Sequence, residues 1–418
     1  MIRKKYTYYI ILIFITLVGM WVIPSFVKKA TDSPDNYPFV YYSSVLKELG
    51  IVDYKDKKTP LSDLKGNQYT TAQFDSLMPL LNYRQLMSDG RLPDSIGGVE
   101  ITPPLLRAKS VVFKYAPKER LTPDKGLYIL FESMPKRVGL EMPDDVFRLK
   151  NGIEFIDAKT NTVNKEKSDL FAKAFEKAGF GFPAQWSIGN PNPRKPYDEG
   201  YFSLDAKGGF YHIKMVNNRP YVRDTRIGEK IDVAWFSMYE AADKRFYGFL
   251  LDKEGNFYIV EGGDGKYTPL KLEIDPIDID KDQITIMGNM LYWTVSVAMP
   301  QNRKYYGLKT ETLNKIAEYS VDRQENKWDK VSKLLFPYYL TFQNQNSDFI
   351  YPRILYTGIC GFGINILLAV VAGFFISRNR KRVIFNVLYV LLTGIAGIIA
   401  LFMIDNSRYT TNNTPKCK

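Results

Sequence analysis

The chain has 418 residues, with 57 Lys and Arg against 45 Asp and Glu, for a formal net charge of +12. That excess lies at the ends: segments 1–29 and 351–418 carry thirteen basic residues and one acid, Asp405, so residues 30–350 are formally neutral. A neutral central region offers no net field to a polyanion, which disfavours nucleic acid as a partner. Two cysteines, Cys360 and Cys417, and one histidine, His212, exclude a disulfide scaffold and the usual zinc ligand set.

Residues 1–29 open with Arg3, Lys4 and Lys5, followed by the apolar run Tyr6 to Val27. Lys28 stands where a signal peptidase needs a small residue, so the segment is read as a retained transmembrane signal anchor. Tyr6, Tyr8 and Tyr9 mark its inner interface and Trp21 its outer one.

Residues 30–107 read as a helical extracytoplasmic segment. Tyr42, Val45, Leu46 and Leu49 fall at helical spacing, with Gly50 placed to cap the end. Thr70, Ala72 and Gln73 resemble a capping box before Phe74, Leu77, Met78 and Leu81. Pro79 kinks or breaks that second helix, and Pro93, Pro103 and Pro104 mark the passage to a different pattern.

From residue 108 to 320 the period changes to two. Short runs at Val111 to Phe113, Tyr128 to Phe131 and Ile153 to Ile156 alternate with turn residues. One helix interrupts, with Leu170, Phe171, Ala174, Phe175 and Ala178 on its apolar stripe and Gly179 as its cap. A weak repeat then appears: Asp205-Ala206-Lys207-Gly208-Gly209-Phe210-Tyr211 matches Asp252-Lys253-Glu254-Gly255-Asn256-Phe257-Tyr258 at an interval of 47 residues. Asp157 echoes it upstream, and the strand from Tyr292 to Ala298, resuming at Tyr305 and Tyr306, echoes it downstream. Strand, turn, strand units of this length predict a mainly β domain that is β-propeller-like, with a β-sandwich as the alternative. The competing view of the repeat is generic hairpin chemistry.

Catalytic signals are absent from this region. His212 lies mid-strand with no nucleophile elbow beside it, and reads as a packed or surface residue. Asp275, Asp278, Asp280 and Asp282 have the spacing that starts a calcium loop, yet Gln283 stands where that loop needs glycine and Asn289 where it needs glutamate. Gly262-Gly263-Asp264-Gly265 lacks the Lys-Ser/Thr of a phosphate loop and reads as a hairpin turn. No catalytic, cofactor-binding or metal-ligating residue is therefore assigned, no cofactor is implied, and the protein is expected not to be an enzyme.

Residues 321–352 form a juxtamembrane helix and linker. Trp328, Val331, Leu334 and Leu335 lie on the helix, which Pro337 ends, and Phe336, Tyr338, Tyr339 and Tyr351 supply interfacial aromatics. Residues 353–405 then read as a transmembrane helical hairpin: Ile354 to Ile376 and Val383 to Ile404 are each long enough to cross a hydrocarbon core of about 30 Å. The turn Ser377 to Arg382 is basic and belongs on the cytoplasmic side. Three spans result, with the N-terminus cytoplasmic and both the main domain and the tail 406–418 periplasmic. The spans hold no ionisable residue to serve as an ion path. Gly358, Gly361, Asn365, Ala369 and Ala372 make one small or polar stripe, and Thr393, Ala396, Gly397 and Ala400 another. A membrane protein partner meeting Gly358, Gly361, Asn365, Thr393 and Gly397 is one reading; packing of the two stripes on each other is the alternative.

The stretches Tyr37 to Leu49, Tyr83-Arg84-Gln85-Leu86 through Arg91 to Ser95, and Gly288-Asn289 through Tyr292 to Val295 resemble a domain-of-unknown-function family of Bacteroidota membrane proteins. That resemblance implies a gene neighbourhood with ABC-transporter components and no functional residue. The expectation is a bacterial inner-membrane protein acting as a non-enzymatic extracytoplasmic accessory subunit of an ABC-transporter or envelope-assembly complex. A membrane-anchored carbohydrate-active hydrolase using carboxylates, or an extracytoplasmic ligand sensor, are the alternatives.

Overall fold

The structure, a computed structural model, describes residues 2–54, 61–123, 126–263, 265–344, 346–375 and 380–412. The chain divides into two compact units: residues 37–322, and residues 1–36 together with 323–418.

The 37–322 unit is mainly β. Its centre is three consecutive antiparallel meanders, each a sheet whose strands follow chain order. The first holds Trp186–Gly189, Tyr201–Leu204, Phe210–Val216 and Arg219–Asp224; the second holds Val233–Met238, Phe246–Asp252, Phe257–Gly263 and Lys266–Lys271. The third holds Gln283–Gly288, Tyr292–Ala298, Asn302–Lys309 and Lys315–Asp322, and gains a fifth strand from far upstream, Val111–Tyr115, which pairs antiparallel with Gln283–Gly288. Neighbouring sheets share cores. Phe202, Phe210, Phe236 and Leu250 fill one between the first and second sheets, and Phe113, Phe249, Leu251, Phe257, Ile286 and Trp293 fill another between the second and third. With both faces covered, the strand Phe246–Asp252 needs apolar residues at consecutive positions, and alternation disappears.

The outer faces are closed by smaller elements. The hairpin Asp145–Leu149 with Ile153–Asp157 and the helix Lys165–Ala178 cover the first sheet through Phe147, Phe155, Phe171 and Phe175. That helix ends as expected on Gly179, which is left-handed at φ 80°. Tyr128 makes only an isolated bridge to Phe147, so the run Tyr128 to Phe131 forms no extended strand.

The repeat is a turn between the second and third strands of a meander. Asp205 Oδ1 accepts from the amides of Lys207 and Gly209 at 2.8 and 2.7 Å. Asp252 accepts from the Asn256 amide (2.8 Å), the Asn256 Nδ2 (2.8 Å) and the Tyr258 hydroxyl (3.0 Å). A third copy escaped the periodicity: Asp63-Leu64-Lys65-Gly66-Asn67-Gln68-Tyr69 makes the same bonds, to Asn67 N, Asn67 Nδ2 and Tyr69 OH at 2.9, 2.8 and 2.7 Å. In all three the glycine is left-handed, with φ of 83°, 85° and 89° at Gly66, Gly208 and Gly255. The aspartate satisfies amides that the turn strips from the ladder, and the glycine makes the turn sterically free. Asp157 caps a longer version, with Asn161 at φ 55° in the left-handed position, and the third meander turns without an aspartate.

The first helix expected within residues 38–92 is instead a hairpin, Phe39–Ser43 with Glu48–Val52, extended by Leu61–Asp63. Tertiary packing overrides the helical spacing here. Val40 and Tyr42 lie against Tyr305 and Tyr292 of the third sheet, and the Tyr42 amide donates to Thr294 Oγ1 at 2.9 Å. Ser43 Oγ accepts from the amides of Val45 and Leu46, turning the chain where the helix was expected. Gly50 is no cap; it sits mid-strand, where a Cβ would fall 1.7 Å from the Met78 methyl. The second expected helix does form, as Thr71–Leu77 with a complete Thr70/Gln73 capping box, and the chain restarts after Pro79 as the helix Tyr83–Ser88.

In the other unit, among the described residues, two helices are long and apolar enough to cross a membrane, over Tyr6–Thr31 and Arg382–Ile404, which is consistent with membrane anchoring. The helix Lys327–Leu335 forms as expected, with an Asn326/Asp329 capping box. The expected span Ile354 to Ile376 is divided: Arg353–Tyr356 is a strand paired with Tyr338–Thr341, and the helix begins only at Gly361. Its 15 described residues, Gly361–Phe375, reach about 22 Å, and residues 376–379 after them lie outside the described residues. Consecutive Ile354, Leu355 and Tyr356 suit a strand, and Gly358 at φ 148° cannot continue a helix. The middle of the basic turn, Ser377 to Asn379, and Cys417 lie outside the described residues.

Gly66 faces open space, whereas a Cβ on Gly255 would lie 2.1 Å from the Ile277 carbonyl oxygen. Gly66→Ala is therefore expected to cost about 1 kcal/mol, the left-handed penalty alone, and Gly255→Ala at least twice that. Urea unfolding followed by tryptophan fluorescence measures both, and equal losses would contradict the turn geometry.

Candidate functional site

His212 reads from the sequence as a packed or surface residue, and the structure places it at the centre of a buried polar chain. It is 0% exposed and stacks on Phe202 at 4.3 Å between ring centroids. Its Nε2 lies 2.6 Å from the Glu199 carbonyl oxygen and its Nδ1 2.8 Å from the Tyr267 hydroxyl. A carbonyl can only accept, so Nε2 carries the hydrogen and Nδ1 accepts from Tyr267. Tyr267 in turn meets the Tyr221 hydroxyl at 3.0 Å. Burial, with Lys214 nearby, pushes His212 down from its usual 6.5 to about 3, so the ring is neutral.

The same chain continues inward to a buried ionic cluster that sequence reasoning missed. The Glu199 amide donates to Glu240 Oε1 at 2.8 Å, and Lys195 Nζ bonds that oxygen at 2.8 Å and Asp198 Oδ1 at 2.5 Å. All three side chains are 2–3% exposed. Ser133 Oγ and Asn190 Nδ2 satisfy the second oxygens of Asp198 and Glu240, and burial raises the Glu240 carboxyl above its usual range. Asp198 and Glu240 are a pair of acids converging in space, which no sequence spacing signals. Lys195 stands between them and the cluster is closed to solvent, so the arrangement fastens loops together and offers no face to a substrate.

Outward, the chain ends at an open groove of about 1060 Å³. Its walls are the strands Arg219–Asp224 and Lys266–Lys271, the free edges of the first and second sheets, with Ala174, Lys177 and Ala178 of the helix Lys165–Ala178. Half-buried Tyr221 and Tyr267 face it, and the Arg223 guanidinium lies 5.9 Å from the Tyr267 ring centroid.

The remaining residues singled out from the sequence do not converge. Asp275 pairs with Lys304, Asp278 with Lys281 and Asp280 with Arg120, while buried Asp282 accepts from the Asp278 amide. Among the described residues no group of three or more His, Cys, Asp or Glu is arranged to hold a metal. Gly263 pairs with Lys266 across a hairpin turn, and Asp264 is outside the described residues. Of the small-residue stripes, Ala369, Ala372 and Ala400 are buried with Leu12 of the first helix, and a Cβ on Gly19 would come 3.1 Å from Ala396 Cβ. Asn365 is buried, its Nδ2 donating to Leu391 O at 3.0 Å, and Gly394 (φ 59°, ψ −137°) breaks the long helix beside it. Thr393 bonds the Tyr389 carbonyl of its own helix, Gly397 makes room for Thr393, Gly361 abuts Pro337, and Gly358 faces open space.

Lys195→Met would strand two buried carboxylates and is expected to cost about 3–5 kcal/mol. Adding Asp198→Asn and Glu240→Gln should recover much of that loss, as read by thermal unfolding. For His212 the folded pKa lies below the unfolded one, so stability is full above pH 6.5 and falls as pH drops toward 3. Lowering pH from 6.5 to about 4.5 should cost the natural protein ~2–3 kcal/mol more than His212→Gln. Glu240, whose raised pKa acts in the opposite sense, is common to both proteins and cancels in the difference. Parallel pH slopes would show that His212 is charged in the folded state.

A solved structure of PorZ, an essential bacterial surface component of the type-IX secretion system of Porphyromonas gingivalis, is similar to this chain at 11% identity and a TM-score of 0.21. The similarity covers 72% of this chain and 33% of PorZ, so the chain spans about a third of that protein's length. No curated protein matches the chain. Residues 39–308, covering both the buried network and the groove, match a domain of unknown function, DUF4857, and the chain belongs to that family.

Proposed function

We propose that the protein is a non-enzymatic accessory subunit of a bacterial inner-membrane ABC-transporter or envelope-assembly complex, in which residues 37–322 are an extracytoplasmic domain anchored at both ends. The observation that carries this reading is the clasp where the chain leaves the helical unit and returns to it. Arg323 bonds Asp35 at 3.0 Å and Asp329 at 2.9 Å, and Asn326 Nδ2 donates to Asp32 and to the Ser33 carbonyl. Both connections to the β unit are thus tied together inside an apolar unit whose helices bury their small residues and expose large aliphatic ones. That pattern suits a domain anchored at both of its ends.

In this reading three spans put the N-terminus in the cytoplasm, the basic turn supports that orientation, and the host is a member of the Bacteroidota. The three meanders in chain order, the third completed by the upstream strand Val111–Tyr115, support a β-propeller-like arrangement. Exposed Ile366, Leu367 and Val370 are the surface on which a partner helix would pack. The groove favours a second reading, an extracytoplasmic ligand sensor. The sealed Asp198 and Glu240 give no support to a carboxylate hydrolase.

Purification from native membranes in mild detergent, followed by mass spectrometry, tests the proposal. Stoichiometric transporter or envelope-assembly subunits are expected alongside the protein; recovery of the protein alone would sink the accessory reading.

A further inference from the structure

We propose that the groove between Arg219–Asp224 and Lys266–Lys271 is a binding site for an acidic polysaccharide, a polymer of carboxylate-bearing sugars. Lys177, Arg223, Arg226, Lys230 and Lys266 line it and are exposed, and among the described residues none has an ion-pair partner. Two acids share the groove, Asp224 and Glu229. Asp224 Oδ1 is occupied by the Arg226 amide of its own turn. A cluster of unpaired cations within a formally neutral segment, residues 30–350, is a local feature and not the edge of a general positive field.

Three further observations narrow the ligand. Tyr221 and Tyr267 have their hydroxyls tied into the His212 chain, so their rings are held rigid, and fixed aromatic faces suit a sugar ring. Both walls are edge strands that would attract an extended peptide, yet each carries a proline, Pro220 and Pro269, whose missing N–H falls on the free edge. Strand addition by a peptide is thereby disfavoured. The groove is also open and larger than most small-molecule pockets, which accommodates several linked units. Preference for a polysaccharide over nucleic acid rests on the extracytoplasmic placement proposed above.

The test uses the full chain in detergent micelles, titrated calorimetrically with polygalacturonate oligomers, with dextran as the neutral polymer and polyphosphate as a charged polymer without sugar. Binding of polygalacturonate alone is expected, weakened about tenfold or more by Arg223→Gln with Lys266→Gln. Equal binding of dextran, equal binding of polyphosphate, or unchanged affinity in the double variant would overturn the assignment. Protease access to residues 37–322 in spheroplasts separately tests the placement, so failure of the topology is distinguishable from failure of the groove.

Discussion

Arg323 makes one side chain responsible for the closure of the helical unit around both of its exits. Its guanidinium reaches Asp35 on the outgoing strand of chain and Asp329 on the first turn of the returning helix, and these two carboxylates hold its pKa above the usual arginine range. Exposed pairs of this kind contribute little individually. Here the geometry matters more than the energy, because the ion pairs join points almost 290 residues apart in sequence. A domain inserted between two such points is a large loop closed at its base, and closure restricts both ends together.

Within the β unit, polar order is concentrated between the first two sheets. Apolar contacts hold most sheet pairs, but the first and second also share the run from Lys195 through Glu240, the Glu199 backbone and His212 to Tyr267 and Tyr221. Each member is satisfied by its neighbour, which a buried polar group requires. Tyrosine hydroxyls at the outer end are therefore fixed by groups sealed from solvent, and the groove inherits the rigidity of the core.

Much of this was legible in the sequence where the signal is local. The Thr70/Gln73 box, the Gly179 cap, the helix after Asn326 and the Asp205 and Asp252 turns depend on residues within a few positions of one another, and those chemistries formed as read. The third turn, at Asp63, was hidden because its flanking strands are short and Tyr69 follows without an aromatic neighbour. Failures came where distant partners decide. Tyr42 and Val40 were claimed by Tyr305, Ile354 to Tyr356 by the strand Tyr338–Thr341, and Gly50 by Met78. The groove and the buried cluster were invisible for the same reason: their residues come from separate segments, brought together only by sheet packing.

The strand Val111–Tyr115 carries a consequence for the order of assembly. Tyr115 pairs with Ile284, so this strand waits for about 170 further residues before its ladder can form, and such non-local pairing slows folding. During synthesis it remains an unpaired edge of Val111, Val112 and Phe113 while two whole meanders form after it. The last sheet then acts as the fastener, and the unit reaches its final arrangement only after Gln283–Gly288 has emerged.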